Sequence, residues 1–263
     1  MRRRPAVLLV LLAALAGCAE YRARFPSADV VFIATPEDVG VEMLRLAAVG
    51  ALDVVLDLGS GDGRIVIAAA REFGARGVGV DIDAGLVTAS RAAARGAGVA
   101  DRTTFLQQDL FVTALDTASV VTLYLRDDVN IRLRPKLLGE LTPGSRVVSH
   151  DFDMGDWRPD RTRRVRGPHR DHRLYLWVIP ANVAGMWRTR LGEREALLNL
   201  TQRYQGIGGT LSLDGREQPI TDGRVAGDGI AFTVGTLRFE GRATADALEG
   251  RAGELSWIAR RVR

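Results

Sequence analysis

The chain has 263 residues, of which 46% are hydrophobic and 26% charged, and its formal net charge is +4. These values exclude a disordered polyelectrolyte and leave room for one large folded domain or two small ones. The single cysteine, Cys18, excludes an intrachain disulfide framework and a cysteine metal cluster, and because Lys136 is the only lysine, the positive charge is almost wholly arginine and implies no nucleic-acid partner by itself.

The first segment, Met1-Arg2-Arg3-Arg4-Pro5, is basic, and the apolar run from Ala6 to Ala16 behind it is too short to span a bilayer. The run ends in Leu15-Ala16-Gly17-Cys18, which resembles a bacterial lipobox. That resemblance implies a lipoprotein signal peptide over 1–17, lipidation of Cys18, and a protein anchored to a membrane of the bacterial cell envelope. Residues 18–29 read as a tether. Thr35-Pro36-Glu37-Asp38 then gives a helix start, with Thr35 as N-cap, Pro36 at the first helical position and Asp38 at the third. Val39, Met43, Leu44 and Ala47 continue it as an apolar stripe.

The next stretch, Asp53-Val54-Val55-Leu56-Asp57-Leu58-Gly59-Ser60-Gly61-Asp62-Gly63, organises the chain. Its aliphatic half reads as a buried parallel strand, and Arg64 to Phe73 reads as a helix. Strand, glycine turn and helix make the first half of a nucleotide-binding βαβ unit. The spacing is D-x-G-x-G-x-G rather than the dinucleotide fingerprint G-x-G-x-x-G. It resembles motif I of the class I S-adenosylmethionine (SAM) methyltransferases. The resemblance implies SAM as cofactor, with Asp57 near its ammonium and Gly59, Ser60, Gly61 and Gly63 offering backbone to its methionine carboxylate at a helix start.

Gly77 to Val80 is a second strand and ends in Asp81, placed to accept from the two hydroxyls of a ribose. Asp83 starts the next helix, Leu86 to Ala97. Thr103 to Phe111 holds a third strand ending in Asp109; the resemblance implies that Asp109 meets the adenine amine while Leu110 and Phe111 pack on the ring. Ser119 to Leu125 is the fourth strand, whose carboxyl end lies beside motif I. Tyr124 there lines a substrate channel or bonds an incoming amine. Asn130 to Leu141 is a helix, and Arg146 to Phe152 a fifth strand that carries His150 and Asp151. Motif I, Leu133-Arg-Pro-Lys-Leu-Leu and Arg146-Val-Val-Ser-His-Asp-Phe with Trp157 downstream resemble one branch. This branch comprises the seven-strand protein-lysine methyltransferases of the ATP synthase c-subunit type and their bacterial relatives. The likeness covers about residues 30–180.

Gly155 to Arg173 is rich in arginine and reads as a solvated loop. His150, His169 and His172 are the only histidines. A metal set drawn from them with Asp151 or Asp171 is the lesser reading, and no metal is expected. Leu174 to Ile179 is a last strand before Pro180. From Gly185 onward the helical period fades, and Asp-Gly recurs at 214–215, 222–223 and 228–229 as a hairpin signal. A small antiparallel β meander or barrel over 185–263 follows, with Trp187 and Trp257 in its core.

The sequence therefore predicts an α/β, doubly wound Rossmann-like methyltransferase domain over 30–182 and an antiparallel β domain behind it. The expected activity is transfer of a methyl group from SAM to a protein (lysine) or small-molecule acceptor, with Tyr124, His150 and Asp151 as catalytic candidates. The alternative is a non-catalytic envelope lipoprotein that keeps the fold as a binding module. No nucleic-acid partner is expected.

Overall fold

The computed structural model describes residues 33–262; the leader, Cys18 and the tether lie outside them. The first part alternates helix and strand: α1 (Glu37–Leu46), β1 (Val54–Leu58), α2 (Arg64–Phe73), β2 (Arg76–Asp81), α3 (Ala84–Gly96), β3 (Thr103–Gln107), β4 (Val120–Leu123), α4 (Asp127–Glu140) and β5 (Arg146–His150). These strands, with β6 (Arg161–Arg166) and β7 (Asp171–Val178), form a seven-stranded sheet in the order β3-β2-β1-β4-β5-β7-β6. β1 to β5 run parallel, while β7 is antiparallel to β5 and β6 to β7. The order reverses between β1 and β4, and that reversal opens a crevice at the strands' carboxyl ends.

The central strands read as continuous apolar runs because both faces are covered. On one face Val55, Val120 and Val148 pack under Val39, Met43 and Leu44 of α1 and Ile65 of α2. On the other, Leu56, Leu58, Val121 and Leu123 meet Leu133 and Leu137 of α4 together with Trp157 and Trp177. Two glycines in β2 have a steric cause. A Cβ on Gly77 would lie 2.6 Å from Val66 Cγ1 in α2, and one on Gly79 would lie 2.6 Å from Phe105 Cδ1 in β3. Glycine at these places marks close approach of neighbouring elements.

Three local expectations change. Thr35 is not the N-cap of α1; Pro36 holds that position and makes no side-chain cap, because the Thr35 hydroxyl is engaged by His150 Nδ1 at 3.1 Å. The arginine-rich segment is not merely a loop, since residues 161–166 form the edge strand β6, with Val165 on the core of α1. An edge strand crowded with charge resists pairing with other chains. Finally, α4 begins at Asp127, earlier than the apolar period suggested, and Asp127 and Asp128 in its first turn complement the helix dipole.

The second part is a closed antiparallel barrel of β8 (Gly185–Leu191), β9 (Arg194–Arg203), β10 (Gly206–Leu213), β11 (Arg216–Ala226), β12 (Gly229–Val234), β13 (Leu237–Ala243), β14 (Ala247–Ala252) and β15 (Leu255–Arg261). Its interior is filled. Phe232 stacks on Phe239 at 4.7 Å, Trp257 sets its edge against both, and Trp187 is fully buried. Asp214-Gly215 makes a hairpin turn, whereas Asp222-Gly223 lies within β11 at a register shift. There Asp222 has φ 49°, and the pair works as a bulge that helps the sheet curl closed.

The barrel meets the sheet through polar groups gathered around the buried Trp157, Trp177 and Gln205. Trp157 Nε1 donates to Gln205 Oε1 at 2.9 Å, and Trp177 Nε1 donates to the Trp157 carbonyl at 2.7 Å. Gln205 Nε2 donates to Asp160 Oδ2 at 2.9 Å, Arg224 pairs with Asp160, and Tyr204 stacks on Trp157. The segment following β5 is thereby held from both sides.

Candidate active site

A cavity of about 420 Å³ opens at the carboxyl ends of β1, β2 and β4. Its floor is the motif I turn. Asp57, the penultimate residue of β1, is almost fully buried and accepts a 2.7 Å hydrogen bond from Thr122 Oγ1. Burial pushes its carboxyl up to about 7, aided by the nearby charges of Asp81 and Asp62 and opposed by the Thr122 bond. A buried carboxyl with one hydroxyl donor and no cation among its bonded partners is a receptor for positive charge. Ser60, also on the cavity wall, keeps its Oγ buried without a partner. Both features await a ligand that carries a cation and polar hydrogen-bonding groups.

The remaining predicted cofactor residues divide. Gly59, Asp81, Asp109 and Leu110 line the cavity, together with Phe111. Gly61 and Gly63 do not. The Gly61 amide donates to Asp81 Oδ2 at 2.8 Å, so this backbone is already engaged. Gly63 has φ 80°, and a Cβ there would lie 2.6 Å from Phe105 Cε1; its role is to let the turn enter α2. Asp81 also accepts the Asp83 amide through Oδ1 at 2.9 Å. It therefore ties β2 to the glycine turn, a second task beside the predicted one. Asp83 caps α3 by accepting the amides of Gly85 and Leu86. Asp109 accepts the Phe111 amide at 2.8 Å, which turns Leu110 and Phe111 towards the cavity, and the Arg132 guanidinium covers the Phe111 ring at 4.2 Å.

The catalytic candidates also divide. Tyr124 stands just past β4 on the cavity wall. His150 and Asp151 are not on that wall. His150 is fully buried behind Tyr124, with ring centroids 3.9 Å apart, and burial lowers its pKa to about 4, so the ring is neutral. Asp151 faces away towards Arg170, whose hydrogen bond, against the opposing effect of burial, helps hold its carboxyl below the usual range. Sequence reasoning missed the lid. Ile33, Ala34 and Thr35 border the cavity, and Thr35 is pinned by His150 and by Arg64 Nη1, which donates to its carbonyl at 3.0 Å. Arg64 is in turn oriented by Asp62. The signal was the Asp62-Gly63-Arg64 sequence itself, in which two charges flank the turn.

The model of the ANTKMT methyltransferase domain matches residues 57–161. A protein-lysine N-methyltransferase of Saccharolobus islandicus is 40% identical over 57% of this chain and 94% of its own length. The chain belongs to the class I SAM-dependent methyltransferases, of the ANTKMT and protein-lysine methyltransferase type. An RNA methyltransferase of Salinibacter ruber, solved with S-adenosyl-L-homocysteine, is 54% identical over 57% of this chain and 96% of its own, with a TM-score of 0.55. The mouse adenine nucleotide translocase lysine N-methyltransferase is 38% identical over 40% of this chain and 46% of its own length. The methyltransferase thus spans less than half of that mouse relative. Its cofactor is SAM, and the buried Asp57 and the unpartnered Ser60 fit that group.

Proposed function

We propose that this methyltransferase modifies the side-chain amine of lysine in a protein. The observation that carries the proposal is the charge of the cavity. Asp62, Asp81, Asp83 and Asp109 line it, beside the buried Asp57 held at about 7, against Arg64 and Arg132, and Arg64 is paired with Asp62. An acidic mouth draws in an ammonium side chain and repels a polyphosphate backbone. The Saccharolobus relative named for protein lysine supports the same acceptor; the Salinibacter relative named for RNA is the competing case.

When bound, SAM supplies a methyl group activated by its sulfonium. Asp57 and Ser60 hold the amino-acid end, Asp81 the ribose hydroxyls and Asp109 with Leu110 and Phe111 the adenine. A lysine amine enters protonated and must lose that proton before it attacks. Tyr124 is the cavity-wall group placed to accept a hydrogen bond from the neutral amine and to aim it. Leu125 and Val129, buried in the same lining, keep water from the reacting atoms.

The test is incubation of the purified protein with methyl-labelled SAM, a membrane-protein fraction and total RNA. Label recovered as methyl-lysine is the expected outcome; label confined to RNA overturns the proposal. We infer further that Cys18 is lipidated and that the enzyme sits on a membrane of the bacterial envelope. Leu15-Ala16-Gly17-Cys18 supports this reading. Mass spectrometry should find an amino terminus at an acylated Cys18, and an intact unmodified leader rejects the anchor.

A further inference from the structure

We propose that His150, His172 and Asp151 form a binding site for a divalent transition-metal cation, with zinc the best match. The three come from separate places: the last residue of β5, the second residue of β7 and the residue that follows β5. Their donor atoms converge. His150 Nε2 lies 2.7 Å from His172 Nδ1 and 3.2 Å from Asp151 Oδ2, and His172 Nδ1 lies 3.4 Å from the same oxygen.

One proton shared between the ring nitrogens makes a hydrogen bond between the imidazoles, and Arg170 pairs with the carboxylate. A cation between the three atoms would replace both contacts and take one lone pair from each of the three donors at once. Ligands held at about 2.0–2.2 Å from a tetrahedral zinc stand roughly 3.3–3.6 Å apart. The two contacts to Asp151 are close to that range, and the histidine pair has to part by roughly 0.6 Å to reach it. Two imidazoles and one carboxylate suit a borderline cation better than magnesium or calcium.

The surroundings are built as metal sites are. His150 Nδ1 is fixed by the Thr35 hydroxyl at 3.1 Å, an outer contact that orients the ring and its ligating nitrogen. Asp151 Oδ1 accepts the Arg173 amide at 2.8 Å, which leaves Oδ2 for the cation. Arg170 pairs with Oδ2 and competes for it. Its side chain is 54% exposed on the β6–β7 hairpin, so it can swing outward when a metal enters. A cation here would clip the end of β5 to the start of β7 and lock the ring on which Tyr124 stacks. It would act on the cavity wall by position, without touching substrate.

The experiment titrates zinc into the chelator-treated full chain by calorimetry, alongside Asp151→Asn, Arg170→Ala and His169→Ala. Asp151 has φ 60°, a backbone conformation that asparagine also tolerates. The wild type should bind one zinc per chain. Asp151→Asn should weaken binding by at least the roughly 10–100-fold seen when an outer partner is lost. Arg170→Ala should tighten it, and His169→Ala, exposed in the same hairpin, should leave it unchanged. Cobalt should give visible absorption bands in the wild type and in Arg170→Ala that zinc abolishes, a readout that stands even if Asp151→Asn does not fold. No binding at about 1 mM zinc, a threshold near −4 kcal/mol, or equal affinity in all four proteins overturns the proposal.

Discussion

Replacing Asp57 by asparagine should make the methyltransferase more stable and a poorer binder of SAM. The carboxyl is buried and held at about 7 against an ordinary value of 3.8. The folded state therefore retains the proton longer than the unfolded state. Stability is undiminished below about pH 4, falls as pH rises towards 7, and is level above that. At about 1.4 kcal/mol for each tenfold change, the loss is on the order of 4 kcal/mol. Asparagine keeps an oxygen for the Thr122 hydroxyl and carries no charge, so it should abolish this slope. Denaturant titrations at several pH values measure it directly in both proteins. Calorimetry with SAM supplies the other half. Losing a charged partner for the ammonium costs about 1.5–3 kcal/mol, or roughly ten- to a hundredfold in affinity. A variant no more stable than wild type above neutrality refutes the argument about burial. One that binds SAM as well as wild type refutes the role assigned to the carboxylate.

Other expectations follow from single contacts. Asp81→Ala should lower SAM affinity by about 1.5–3 kcal/mol, and it should also lower the melting temperature, because the Gly61 and Asp83 amides lose their acceptor. Gly63→Ala combines a positive φ with a contact 2.6 Å from Phe105; overpacking alone costs about 1–3 kcal/mol, which urea unfolding would detect. Gln205→Leu leaves the buried Trp157 indole without its acceptor and should cost about 1–3 kcal/mol, read as a calorimetric transition at lower temperature.

Much of the crevice could be read from sequence because its residues obey local rules. A glycine turn between an aliphatic strand and a helix fixes Asp57 and Ser60 in the cavity, and strand ends fix Asp81 and Tyr124. Contacts between distant segments were not readable. Thr35 looks like an N-cap to any local rule, yet its hydroxyl is taken by His150, which lies 115 residues away in the chain. His150 and Asp151 are adjacent in sequence, but the backbone turns at Asp151, with φ 60°, and sends their side chains behind the wall rather than into it. β6 was hidden by composition, since only Val165 is partly buried in this edge strand and the arginines mask the alternation. Asp222-Gly223 carries the hairpin signature but lies mid-strand, where positive φ produces a bulge instead of a reversal.

The closure of the barrel sets the order in which the molecule can be completed as it is made. β8 pairs with β9 on one side and with β15 on the other, and the Thr189 hydroxyl is bonded to the Ile258 carbonyl 69 residues later. All strands of the first part's sheet precede β8 in the chain, so they are available while the barrel is still being synthesised. Until β15 arrives, β8 has one open edge and Trp187 lacks a wall. A chain halted within β13 or β14 would therefore join the strands of the crevice to an unclosed, adhesive ribbon. Chaperone demand should peak in that interval and end with the last strand.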